Sequence, residues 1–171
     1  LKINMLHYHS SRLVTIKDLS VRYPDTDTPL FSGLSMEIRS GSRIALSGKN
    51  GCGKSSLIRL ILGENIPHTG EISVASGLRI SYVSQDTSHL RGTLSEFALH
   101  CGVDAPLLLT VLDKLGLERP QFEKKIGTYS EGQKKKVLLA KSLCEPAHLF
   151  VWDEPLNYID IFSRIQLEDL L

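Results

Sequence analysis

The chain has 171 residues, 42% of them hydrophobic and 23% charged, values that fit one ordinary folded domain and exclude a disordered or low-complexity chain. Its 20 basic and 19 acidic residues leave a net charge of +1, so no global positive field argues for nucleic acid, though a local patch is compatible with a neutral total. Unbroken aliphatic runs such as residues 137–140 are far shorter than the roughly 20 residues of a membrane helix, so no direct membrane insertion is expected.

The predicted elements begin with a strand over residues 15–23, with Ile16, Leu19 and Val21 as its apolar points. Prolines and aspartates around residues 24–29 make a turn, and residues 30–38 alternate through Leu34, Met36 and Ile38 as a second strand. Residues 43–47 (RIALS) read as a short strand running directly into glycine. Residues 54–62 carry Leu57, Ile58 and Ile61 at helical spacing, with Gly63 as a stop. Strands follow over residues 71–74 and 78–83. Thr93 suits the cap of a short helix holding Leu94, Phe97 and Ala98. Asp104 suits the cap of another, where Leu107, Leu108, Val111, Leu112 and Leu115 share one face up to Gly116. Residues 131–145 form a third helix ended by Pro146, and residues 148–152 a compact apolar strand. This order predicts an α/β core with an antiparallel side sheet and an inserted helical subdomain at about residues 86–147. The three cysteines, Cys52, Cys101 and Cys144, are odd in number and widely spaced, which fits a reducing, cytoplasmic setting better than a disulfide framework. The chain starts at Leu1 without a methionine or visible signal peptide and stops at Leu171 within a helix-like stretch, so it reads as a segment of a longer protein.

Gly48-Lys49-Asn50-Gly51-Cys52-Gly53-Lys54-Ser55 matches G-x-x-x-x-G-K-[ST] between a predicted strand and a predicted helix. Glycines at 48, 51 and 53 permit turns that point consecutive N–H groups inward as an anion nest, and the helix start adds the positive end of its dipole. Lys54 supplies a point charge for the β- and γ-phosphates, and Ser55 a hydroxyl for Mg²⁺. Lys49, Asn50, Cys52 and Ser56 complete the candidate loop, with Cys52 serving only as a small residue. Downstream, the apolar strand ends in Asp153-Glu154, where ligand groups gather at carboxyl ends of strands. Asp153 is the candidate for a water on the same metal, and Glu154 the candidate base for an attacking water. A glycine-rich turn and two acids capping the next turn are the bland alternatives.

These residues resemble the nucleotide-binding domain of an ABC ATPase, whose fold is a P-loop core with an antiparallel side sheet and a helical insert. Thr128-Tyr129-Ser130-Glu131-Gly132-Gln133 resembles the family signature, usually Leu-Ser-Gly-Gly-Gln, which binds the γ-phosphate of ATP held by a partner domain. Ser130, Gly132 and Gln133 fit; Tyr129 replaces leucine and Glu131 the first glycine, and an inward carboxylate there would repel phosphate. The resemblance makes Gln85 the glutamine that approaches Mg²⁺ and the attacking water, and Tyr23 the aromatic that stacks on adenine. Residues 154–160 resemble the D-loop, closing at Asp160, and their Glu154-Pro155-Leu156-Asn157-Tyr158-Ile159-Asp160 is similar to the ABC-F subgroup, including its antibiotic-resistance members. The resemblance therefore implies ATP and Mg²⁺, a second ABC domain in the same chain or a homodimer, and the ribosome as partner. The ATPase of a membrane transporter and a non-catalytic nucleotide sensor are the rival readings. None of the six histidines (7, 9, 68, 89, 100, 148) fits the family's switch histidine, so the segment alone is expected to hydrolyse ATP poorly or not at all. The basic runs at residues 124–125 and 134–136 are read as solvated faces, with RNA phosphate contact as the alternative.

Overall fold

Alternating apolar residues and strand-breaking turns organise the first half of the chain, and capped amphipathic helices the second. The structure, a computed structural model, describes residues 5–155. It divides into two compact units, residues 6–80 and the residues from 81 onward together with Met5.

In the first unit, β1 (Arg12–Val21) is the middle of a three-stranded antiparallel sheet, with β2 (Phe31–Arg39) on one side and β3 (His68–Val74) on the other. Ile16 stands opposite Met36 on β2 and Ile72 on β3, so the apolar side chains meet across both ladders. Leu13, Val14, Ile16, Leu19 and Val21 are all buried, as a central strand requires. Helix α1 (Lys54–Ile61) buries Leu57, Ile58, Leu60 and Ile61 and ends at Leu62, with Gly63 in the left-handed conformation just beyond. The stretch 43–47 is not a strand. It joins neither sheet among the described residues, and Ile44 and Leu46 are 46% and 41% exposed. Its alternation is strand-like, but a strand exists only where a second backbone accepts its hydrogen bonds.

In the second unit, β4 (Ile80–Val83) and β5 (Leu149–Trp152) form a two-stranded sheet. Helix α2 (Leu94–Cys101) starts on a reciprocal cap between Thr93 and Glu96 and ends at Gly102. Helix α3 (Ala105–Lys114) starts on Asp104, which accepts from the Leu107 amide at 2.7 Å. Such caps contribute about 1 kcal/mol each. Helix α4 (Glu131–Cys144) buries Val137, Leu138, Leu139, Ala140 and Leu143 against Leu108, Val111 and Leu112 of α3. Two short 3₁₀ turns, Arg119–Gln121 and Ile126–Thr128, lead from α3 into α4 and were not foreseen from the periodicity. A buried polar knot joins the ends of three elements: the Ser81 and Ser142 hydroxyls lie 2.7 Å apart, the Ser81 hydroxyl donates to Glu145, and the Trp152 indole donates to Ser142 at 2.9 Å. It fixes β5, and so the acids that follow it. No single helix among the described residues is long and apolar enough to cross a membrane; α2 and α3 pass that test only as a pair bent by 119°.

Candidate functional site

The phosphate-loop residues lie in the first unit. Gly51 (φ 78°) and Gly53 (φ 96°) occupy left-handed backbone, where an L side chain costs about 1–2 kcal/mol. A Cβ on Gly53 would also come within 2.7 Å of the Phe31 ring, so the loop needs glycine there on two grounds. Gly53 is the residue at the start of α1, and no side chain caps that helix. The amides of a helix's first turn have no intrahelical carbonyl partner, and in α1 they follow directly on the loop. The Lys54 ammonium arches back to donate to the carbonyls of Gly48 (2.7 Å) and Lys49 (3.1 Å). Residues 48–51 are exposed. A helix start with no side-chain cap and an ammonium seated on the carbonyls of the exposed glycine loop form a set that fits a polyphosphate. Tyr23 is half-buried, and its hydroxyl lies 3.2 Å from that of Ser56 on α1, so the chain brings this aromatic to the helix that follows the loop.

The acids lie in the second unit. The Asp153 amide donates to the Val83 carbonyl at 2.9 Å, which carries the β4–β5 pairing one residue further and places the first acid at the strand end. Asp153 is buried, and Gln85 donates its side-chain amide to Asp153 Oδ1 at 3.2 Å. Glu154 follows with φ 50°, a left-handed conformation that a non-glycine residue holds only where its surroundings enforce it. Gln85 and Glu154 line one cavity of about 470 Å³ together with Thr87, Glu131 and Lys135. The structure thus gathers three of the sequence-derived residues, Gln85, Asp153 and Glu154. Asp160 lies outside the described residues.

The signature stretch opens α4. The Ser130 hydroxyl accepts from the Gln133 amide at 3.2 Å, and the Gln133 side-chain oxygen accepts from the Ser130 amide at 3.0 Å, so both side chains serve the helix start, with Gly132 between them. Glu131 does not stand as an open negative charge. The Thr87 hydroxyl donates to one carboxylate oxygen at 2.5 Å and the Lys134 ammonium to the other at 2.9 Å. These partners, Thr87 foremost, hold the Glu131 carboxyl below the usual carboxylate range.

The lysine triplet is not a solvated face. Lys135 and Lys136 are 3% and 7% exposed. Lys135 donates to the Ser84 carbonyl at 2.9 Å, and Lys136 to the Gly116 carbonyl just past the end of α3, at 3.2 Å. Burial lowers the pKa of the Lys135 ammonium, opposed by the charges of Asp153, Glu154 and Glu131. Sequence reasoning missed Thr87, Lys135 and Lys136. The available signal was the apolar run at 137–140, because a helix that is apolar all round is buried all round and draws its neighbouring turns in with it.

A family model described as ABC transporter matches residues 31–157. The chain belongs to this family, as its ATPase domain, with the family's mixed α/β P-loop fold. The family hydrolyses ATP. Among curated proteins, the chain is 33% identical over 150 residues to the ATP-binding protein Uup of Buchnera aphidicola, covering 83% of this chain and 25% of that one. It is 32% identical over 166 residues to the zinc import ATP-binding protein ZnuC of Photorhabdus laumondii, covering 94% and 63%. It is 30% identical over 165 residues to ABC transporter F family member 2 of Arabidopsis thaliana, covering 93% and 24%. The chain therefore spans between a quarter and somewhat under two thirds of the length of these relatives. Among solved structures, a bacterial Atm1-family ABC exporter with ATP bound superposes with a TM-score of 0.79 at 21% identity, covering 97% of this chain and 33% of that one. A putative ABC transporter ATP-binding protein from Pyrococcus furiosus gives 0.75 at 24% identity, covering 92% and 82%. At these identities the structural likeness speaks for the fold.

Proposed function

We propose that the chain is the ATP-binding and ATP-hydrolysing domain of a cytoplasmic ABC-F protein that acts on the ribosome, in the manner of the antibiotic-resistance members. The observation that carries the nucleotide reading is the loop at 48–55, with its Lys54 ammonium already seated at the loop mouth and α1 left uncapped. In this reading the loop amides and Lys54 bind the phosphates, Tyr23 stacks on adenine, and Ser55 gives its hydroxyl to Mg²⁺. Asp153 is the acid that serves the metal, Gln85 reaches toward the metal and the attacking water, and Glu154 takes that water's proton. Bound Mg²⁺ would supply charge neutralisation to the β- and γ-phosphates. Ser130, Gly132 and Gln133 face the nucleotide of a second ABC domain, in the same chain or in a second copy, and Asp160, which closes the D-loop-like stretch, joins the nucleotide-binding residues. The ABC-F assignment is supported by the similarity to ABC transporter F family member 2 and by the sequence of residues 154–160.

The similarity to the zinc import protein ZnuC favours a second reading, the ATPase of a membrane transporter. The complete parent protein separates them. Its Glu154→Gln variant is expected to bind ATP, to lose at least 100-fold in turnover for want of the base, and to co-sediment with ribosomes in an ATP-dependent manner. ATP-dependent capture by a membrane partner without ribosome binding would establish the transporter reading, and unchanged turnover would remove Glu154 from the role of base.

A further inference from the structure

Glu131 and Lys135 stand four residues apart, which places them on one face of α4, and both reach the loop that follows β4. Lys135 grips it before Gln85, through the Ser84 carbonyl at 2.9 Å. Glu131 grips it after Gln85, through the Thr87 hydroxyl at 2.5 Å. Between the two grips, Gln85 donates to Asp153 at 3.2 Å. Lys134 holds the second oxygen of Glu131 at 2.9 Å, which turns the first toward Thr87. Lys135 and Thr87 are 3% and 7% exposed, whereas the Glu131 side chain is 55% exposed, so the Lys135 contact is the costlier of the two to break. The signature glycine that Glu131 replaces has no side chain with which to reach Thr87, so this second grip is a property of the present sequence.

We infer that Glu131 and Lys135 are positioning residues that clamp residues 84–88 from both sides and hold Gln85 against Asp153 before nucleotide arrives. The acid at position 131 thereby acts within its own domain rather than against the phosphate of a partner domain. The role in hydrolysis rests on the function proposed above; the clamp itself does not.

The test uses the complete parent protein with Thr87→Val, which removes one hydroxyl at nearly constant volume, and with Lys135→Met and Lys135→Arg. Without nucleotide, the amides of residues 84–88 are expected to exchange hydrogen about tenfold faster in Thr87→Val and Lys135→Met, while those of α3 stay unchanged. With ATP, kcat is expected to fall about tenfold in both, KM to stay within about twofold, and the half-saturating Mg²⁺ concentration to rise. Lys135→Arg keeps a donor and restores most of the rate. In a Gln85→Ala background neither substitution adds a further loss, because the clamp acts through Gln85. Unchanged exchange at residues 84–88 would overturn the clamp. Faster exchange with penalties that add in full to Gln85→Ala would overturn its positioning role. A parent protein that turns over no ATP would sink the ATPase reading and the hydrolytic role with it, while the exchange measurement still decides the clamp.

Discussion

Gly53→Ala probes the phosphate loop at its most constrained residue. The backbone there has φ 96°, so a methyl group meets a conformational cost of about 1–2 kcal/mol. The same methyl would lie 2.7 Å from Phe31 Cδ1 and 3.1 Å from Leu30 Cβ, an overlap of the kind that costs about 1–3 kcal/mol when neighbours shift to relieve it. A loop that relaxes to avoid these costs must be forced back when it closes on phosphate. The sum, about 2–5 kcal/mol, corresponds to a loss of about 30-fold to several thousandfold in ATP affinity. Gly51→Ala separates the two contributions, because its φ is 78° but a methyl there meets nothing within 4 Å. It carries the conformational cost alone and should weaken binding by about 5- to 30-fold. Adding Phe31→Ala to Gly53→Ala opens space for the methyl and should recover the overlap part only. Titration calorimetry with ATP and Mg²⁺ reads all three, with circular dichroism confirming that each variant folds. Wild-type affinity in Gly53→Ala, or a Gly51→Ala variant weaker than Gly53→Ala, would refute the reasoning.

Tyr23→Phe should keep ATP affinity within about twofold, because it loses only the contact with Ser56, whereas Tyr23→Ala should lose about tenfold or more through lost stacking; equal losses in the two would show that the hydroxyl, not the ring, matters. Cys144 is buried, and that burial pushes its thiol up to about 11 from an ordinary value of 9.0. A neutral thiol favoured in the folded state contributes stability that is complete below pH 9 and declines as the pH rises toward 11. Native alkylation at pH 8 should therefore spare Cys144 and modify it on unfolding in urea; rapid native labelling at that position would contradict the burial.

Most of the architecture was legible because its determinants are local. Thr93 and Asp104 announce helix starts within three residues of the amides they cap, and the apolar spacing of α1 and α3 repeats within a turn. The stretch 43–47 was misread for the opposite reason. Its alternation is local, but pairing depends on a second segment that the pattern does not contain. The lysines of α4 failed similarly, because their burial is set by Ser84 and Gly116, far away in sequence. The phosphate loop and the acids 153 and 154 stood out through their residue types. The Thr87–Glu131 contact did not, since a threonine and a glutamate 44 positions apart carry no spacing signal.

Ser130 begins α4 with a hydroxyl that accepts from the Gln133 amide. A hydroxyl that accepts still owns a proton to give, so this cap remains hospitable to an incoming anion. Aspartate starts helices equally well, yet its ionised oxygens can only receive. If Ser130 meets a phosphate as proposed, the choice of alcohol over acid lets one atom anchor a helix and greet a negatively charged guest at once.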